Sequence, residues 1–184
     1  MNESINRQVL LVEKPTGKLG PEHFKMTNAA IPEPKDGEVL LRVRYISLDA
    51  ANRAWMHGAT YRAAVEANTV MAGGGIAEVV SSKAPGFAAG DIVFGDTGWQ
   101  DFAAVPAKHL SKMPKLEPMT HLLSVYGIAG LTAYFGLLDI GKPQADNPTK
   151  LHGGDIAHAV KAVLEIGDRG FTPELSIFAT NPRD

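Results

Sequence analysis

Along the first 113 positions, hydrophobic residues come in short runs broken by Gly and Pro, a pattern that predicts strands joined by turns. Residues 7–13 (RQVLLVE) and, with weaker alternation, 23–31 (HFKMTNAAI) read as the first two strands. Residues 38–48 (EVLLRVRYISL) give the clearest one. A period of two would turn Val39, Leu41, Val43, Tyr45 and Ser47 to one face, and Leu40, Arg42, Arg44, Ile46 and Leu48 to the other. Residues 49–56 predict a short helix with Asp49 as its N-cap. Residues 70–81 read as a single strand interrupted by Gly73, Gly74 and Gly75, where a bulge or a close approach is expected. Further strands are predicted within 85–93, over 98–105 and briefly over 109–113. Short strands with turns every ~8–12 residues point to a sandwich or a small barrel.

The periodicity changes after Pro118. Residues 119–126 and 131–140 predict helices, the first capped by Thr120 and the second stopped by Gly141 and Pro143. Residues 144–154 read as a polar loop, 155–166 as an amphipathic helix capped by Asp155, and 175–180 as a last strand. The fold class expected is therefore mainly β with α: a sandwich or small barrel followed by C-terminal helices.

Composition narrows the chemistry. The chain has 184 residues, 45% of them hydrophobic and 21% charged, enough apolar material for a core without staples. A formal charge of −2 gives no general attraction to nucleic acid or an anionic membrane. There is no cysteine, which removes disulfides, thiolate zinc sites and a cysteine nucleophile. The polar start MNESINRQ and the lack of a long apolar run predict a cytoplasmic protein with no membrane partner.

Three stretches carry a family resemblance: YISLDAANRAWM (45–56), MAGGGIAEVVSSKAPGFAAGDIVFGDTGWQDFAAV (71–105) and LSVYGIAGLTAYFGLLDIGKP (123–143). They resemble the medium-chain dehydrogenase/reductase superfamily, in particular its zinc-independent, NADPH-dependent 2-alkenal and enone reductases, which include the prostaglandin reductases. The resemblance runs from about residue 7 to about residue 145. It implies a GroES-like β-barrel for residues 1–144, with 145–184 as an unrelated helical tail. It further implies a substrate cleft shared with a Rossmann domain, and reduction of an α,β-unsaturated aldehyde or ketone at its β-carbon by hydride from NADPH.

Several features depart from that pattern. A dinucleotide fold needs a strand, a glycine-rich turn and a helix whose N-terminus holds the pyrophosphate. Neither Gly153–Gly154 nor Gly73–Gly74–Gly75 has that context or spacing. The segment after 144 is too short for a nucleotide domain of on the order of 100 residues. No Rossmann domain is expected in these residues, and NADPH binding by this chain alone is doubtful. The positions that look equivalent to zinc ligands are Ser47 and the Ala72–Gly73 pair, which offer neither thiolate nor imidazole, so no metal is expected.

The resemblance implies site residues as follows. Thr132, with Ile128 and Gly130, matches the place beside the nicotinamide; a threonine bonding back to its own helix is the plain alternative. Asn52 stands where relatives carry a different stretch and could bond a carbonyl oxygen. Trp55 and Tyr61 either wall an apolar substrate pocket or pack a barrel edge. Arg53 fits a structural pair better than a substrate contact, and Trp99 fits core or interface. No catalytic residue is assigned.

Three functions stay open. The chain is a family member lacking its nucleotide domain and inactive alone; or a binding module, possible as a homodimer; or one half of a reductase completed in trans by a nucleotide-binding chain.

Overall fold

The computed structural model describes residues 5–141. The chain divides into two compact units, one ending at Gly127 and one beginning at Ile128, and each is described by itself. The division falls ahead of residue 144, the boundary named from the sequence.

Among the described residues the first unit holds eight strands and one α-helix, besides short 3-10 turns: β1 (Ile5–Leu11), β2 (Phe24–Ala30), β3 (Glu38–Ile46), α1 (Ala50–His57), β4 (Thr69–Val70), β5 (Gly74–Ser82), β6 (Ile92–Asp96), β7 (Phe102–Pro106) and β8 (Ser111–Met113). They form a three-stranded sheet in the order β2-β1-β4 and a five-stranded sheet in the order β7-β3-β5-β6-β8. Every pairing is antiparallel. The sheets are stitched where Val9 N–H donates to the Trp99 carbonyl (2.9 Å), Asp101 N–H to Arg7 (3.0 Å) and Trp99 N–H to Met71 (2.8 Å). This is the expected mainly-β, GroES-like arrangement.

β3 lies between two partners and buries both faces at its start: Val39, Leu40 and Leu41 are all inside. Val39 and Leu41 join Ala77, Val79, Val93, Ala103 and Val105 in one cluster. Strict alternation fails further along. Irregularities between Leu40 and Leu41 and between Val43 and Tyr45 shift the register, and Tyr45 ends 42% exposed.

The stretch 70–81 is a second departure. It is two strands in different sheets: β4 pairs with β1, the chain crosses over at residues 71–73, and β5 joins the larger sheet. The glycines mark this crossing. Likewise β7 begins only at Phe102, because residues 98–101 are spent bridging to β1.

After Pro118 the expected first helix is a single 3-10 turn, Met119–Leu122. Thr120 is no cap: its carbonyl accepts from Leu123 N–H and from the Ser124 hydroxyl instead. Leu122 anchors the turn by burial against Ile76 and Ile92. In the second unit, α2 (Ile128–Phe135) starts three residues ahead of the expected 131 and runs into a π-helical turn, Gly136–Gly141. The helix predicted over 155–166 and the strand over 175–180 lie outside the described residues.

Candidate functional site

α1 forms because Asp49 caps it. The Asp49 carboxylate accepts from Ala51 N–H (2.8 Å), and the Asn52 amide oxygen accepts in return from Asp49 N–H (2.8 Å), a reciprocal capping box. Asn52, Trp55 and Met56 share the buried face, at the helical spacing of three and four. Trp55 and Met56 pack with Leu11, Val65 and Met71.

Asn52 is thereby occupied at both ends: its amide nitrogen donates to the Ala72 carbonyl at 3.2 Å, tying α1 to the crossing before β5. Arg53 donates to the Gly17 carbonyl at 2.7 Å, a structural contact. Trp55 is 6% exposed, and its indole nitrogen has no partner among the described residues. Tyr61 is 81% exposed and meets the Trp55 ring edge-on, with centroids 5.9 Å apart.

Tyr61 opens a cleft of about 540 Å³, lined also by Arg62, Val65, Glu66, Ala72 and Asp96. Sequence reasoning singled out Tyr61 but missed Arg62 and Asp96. Arg62 lies over the Trp55 ring, 4.6 Å from its centroid, and pairs with Asp96 at 2.8 Å. The other Asp96 oxygen accepts from Gly73 N–H at 3.3 Å. One carboxylate thus fastens the loop after α1 to the glycine crossing. Nothing local in the sequence joins Arg62 to a residue 34 positions later.

Around Gly73 the backbone is crowded. Its carbonyl accepts from both Thr97 and Gly98 N–H, each at 3.0 Å, and Ser47 N–H donates to the Gly74 carbonyl at 2.9 Å. A Cβ on Gly73 would stand 2.6 Å from the Trp99 indole nitrogen. Trp99 stacks on Phe24 with centroids 5.5 Å apart and packs against the Leu11 cluster.

A second hollow, of about 420 Å³, is lined by Met26, Val43, Tyr45, Trp99, Arg7 and Asp101, among others. Arg7 forks onto Asp101, with Nε to Oδ2 at 2.7 Å and a terminal nitrogen to Oδ1 at 3.1 Å. The hydrogen bond from Arg7 holds the Asp101 carboxyl below its usual range, against the opposing effect of burial. A lowered folded value means the pair stabilises the fold above the unfolded carboxylate's titration and loses this as pH falls through the folded value. In thermal melts, the deficit of Asp101→Asn relative to the parent should be steady at neutral pH and shrink as pH drops below about 4. A deficit independent of pH would refute this.

The three residues that the resemblance places at the coenzyme, Ile128, Gly130 and Thr132, all lie on α2. Ile128 is 78% exposed and Thr132 is exposed. α2 carries no charged side chain. It can offer apolar and hydroxyl contacts to a nicotinamide ring but supplies no charge to hold phosphates.

Residues 7–113 match the family described as the N-terminal domain of oxidoreductase. The chain belongs to this family, the N-terminal part of the medium-chain dehydrogenase/reductase fold. It is 37% identical over 164 residues to the putative NADP-dependent oxidoreductase YfmJ of Bacillus subtilis, covering 87% of this chain and 48% of the relative. It is 38% identical over 141 residues to the NADPH-dependent curcumin reductase of Escherichia coli, covering 76% and 41%. The crystal structure of CurA from Vibrio vulnificus in complex with NADPH superposes with a TM-score of 0.69 at 34% identity, over 85% of this chain and 49% of that one. The chain spans about half the length of the curated relatives it matches. The 87% share is more than residues 1–144 could supply, so the match to YfmJ continues past residue 144.

Proposed function

We propose that this chain is the substrate-side part of an NADPH-dependent reductase of carbon–carbon double bonds in enones and alkenals. The likeness to the NADPH-bound CurA structure supports the reading most directly. The substrate wall is the cleft beside α1: Tyr61, whose ring meets the buried Trp55 behind the lining, gives it an aromatic side, and Arg62 gives it hydrogen-bond donors.

NADPH supplies the hydride when bound. The residues of this chain would bind and orient the enone, exclude water from it, and donate hydrogen bonds to the carbonyl oxygen as it gains negative charge. Hydrogen bonding replaces zinc here because Ser47, Ala72 and Gly73 have no metal-binding side chain to offer. Ile128, Gly130 and Thr132 would meet the nicotinamide side of the coenzyme, while the pyrophosphate grip comes from polypeptide outside these 184 residues.

Residues 1–184 by themselves are then inactive. NADPH titrated into the 184-residue chain, followed by nicotinamide fluorescence, should show no saturable micromolar binding. A saturable curve would sink this part of the reading.

A second reading is an interaction module, completed in trans by a nucleotide-binding chain or paired with another copy. The exposure of Ile128, Leu131, Tyr134 and Phe135 on α2 favours it. A monomer in sedimentation at high protein concentration counts against self-pairing.

A further inference from the structure

The cleft has an unusual charge arrangement for a pocket meant to hold an apolar ligand. Its lining carries one guanidinium, Arg62, and two carboxylates, Asp96 and Glu66. The guanidinium is already claimed: Asp96 holds it at 2.8 Å and the Trp55 ring supports it from one side. Glu66 has only a long contact to Lys14, at 3.4 Å.

From this we propose that the Arg62–Asp96 pair is the specificity-determining element of the cleft, selecting neutral carbonyl ligands and rejecting carboxylates. The inference rests on the cleft being the substrate wall. A carboxylate ligand entering here finds no free cation. If it uses the N–H groups that Asp96 leaves open, it sits beside Asp96 in a cleft that also holds Glu66 and meets like charge; if it displaces Asp96, it leaves that carboxylate without its cation. A ketone or aldehyde oxygen asks for less. It needs one donated hydrogen bond, and a guanidinium has five N–H groups, more than a single ion pair consumes. Asp96 thus stands where a ligand's own carboxylate would otherwise sit. It is fixed there by the Gly73 N–H, which it accepts through its second oxygen.

Two probes of nearly equal shape separate the cases: 4-phenyl-3-buten-2-one, a neutral enone, and cinnamate, which carries a carboxylate in place of the ketone. Both are titrated into the 184-residue chain. The readout is the indole N–H signal of Trp55, one of only two tryptophans, assigned by its loss in Trp55→Phe. The enone should bind about tenfold more tightly than cinnamate. Asp96→Asn keeps an oxygen for the Gly73 N–H and removes the charge, so cinnamate should gain about tenfold while the enone changes little. Adding Arg62→Met to that variant should erase the gain. Arg62→Met alone, which leaves Asp96 unpaired, should weaken cinnamate further. Equal affinity of the parent chain for both probes, or no gain for cinnamate in Asp96→Asn, overturns the inference and leaves the cleft's role intact. No response to either probe overturns the cleft as substrate wall, and this inference with it.

Discussion

Replacing Asn6 with alanine should destabilise the fold by about 2–4 kcal/mol, because it strands two buried backbone groups at once. Asn6 is 1% exposed. Its amide oxygen accepts from Phe102 N–H at 2.9 Å, and its amide nitrogen donates to the Phe102 carbonyl at 3.0 Å. β7 is the edge strand of the larger sheet. Val43 N–H donates to the Asp101 carbonyl, so the next residue, Phe102, turns its own N–H and C=O away from β3. A side-chain amide on β1 closes that edge as a further strand would. Alanine removes both partners and leaves a cavity too enclosed for easy solvation. The melting temperature should fall by roughly 5–15 °C. A loss under about 1 kcal/mol would mean that water had taken over both bonds. Asn6→Asp separates the two halves of the effect: it keeps an acceptor for the N–H but sets a negative charge against the carbonyl, so it should not rescue stability.

Elements set by local chemistry were legible in the sequence; elements set by partners far along the chain were not. β1, β2, β3 and α1 follow from alternation and from Asp49 at its cap, each within a few residues of expectation. The split of 70–81 was hidden, since Val70 pairs with Leu10 while Ile76 pairs with Tyr45 and Phe94, and no local pattern tells one sheet from the other. Asn6 was invisible for the same reason: it lies in the polar run ahead of residue 7, where the strand was expected to begin, and nothing there hints that it serves another sheet's edge. The helix expected over 119–126 shrank to one turn because burial of Leu122 against Ile76 and Ile92 outweighed helix propensity.

The site divides along the same line. Trp55 and Tyr61 could be picked out as aromatics close in sequence to a capped helix, and they do meet. Asn52 was picked as a group that could bond a ligand's carbonyl oxygen, and its amide is used by the capping box and by the Ala72 carbonyl. Arg62 and Asp96 form the ion pair of the cleft, and only the fold brings them together. The family resemblance pointed to Trp55 and Tyr61, while the polar groups beside them are brought there by tertiary contacts.

The polarity depends in turn on a backbone that tolerates no side chain. Gly75→Ala should cost about 2–3 kcal/mol, and unlike a core truncation it should disturb the cleft as well. A Cβ there would lie 2.7 Å from the Tyr45 carbonyl oxygen and 2.6 Å from the Thr97 hydroxyl. The first is backbone of a neighbouring strand beside a register shift, and the second belongs to a buried residue, so neither yields cheaply. Relief would push apart β3 and the segment that starts at Thr97. That strains the bonds from Ser47 N–H to Gly74 and from Thr97 N–H to Gly73, directly beside the Asp96 hold on Gly73. Gly58 is the control: its backbone is extended and nothing stands within 4 Å of the position a Cβ would take. Gly58→Ala should therefore be neutral, or stabilising by about 0.4–1 kcal/mol through the unfolded chain. Thermal melts of the two variants measure the contrast, and the Trp55 indole signal should shift in Gly75→Ala alone. Equal melting temperatures for both would show that β3 and β5 can separate without cost, and the crowded glycine crossing would then not be what holds Asp96 in place.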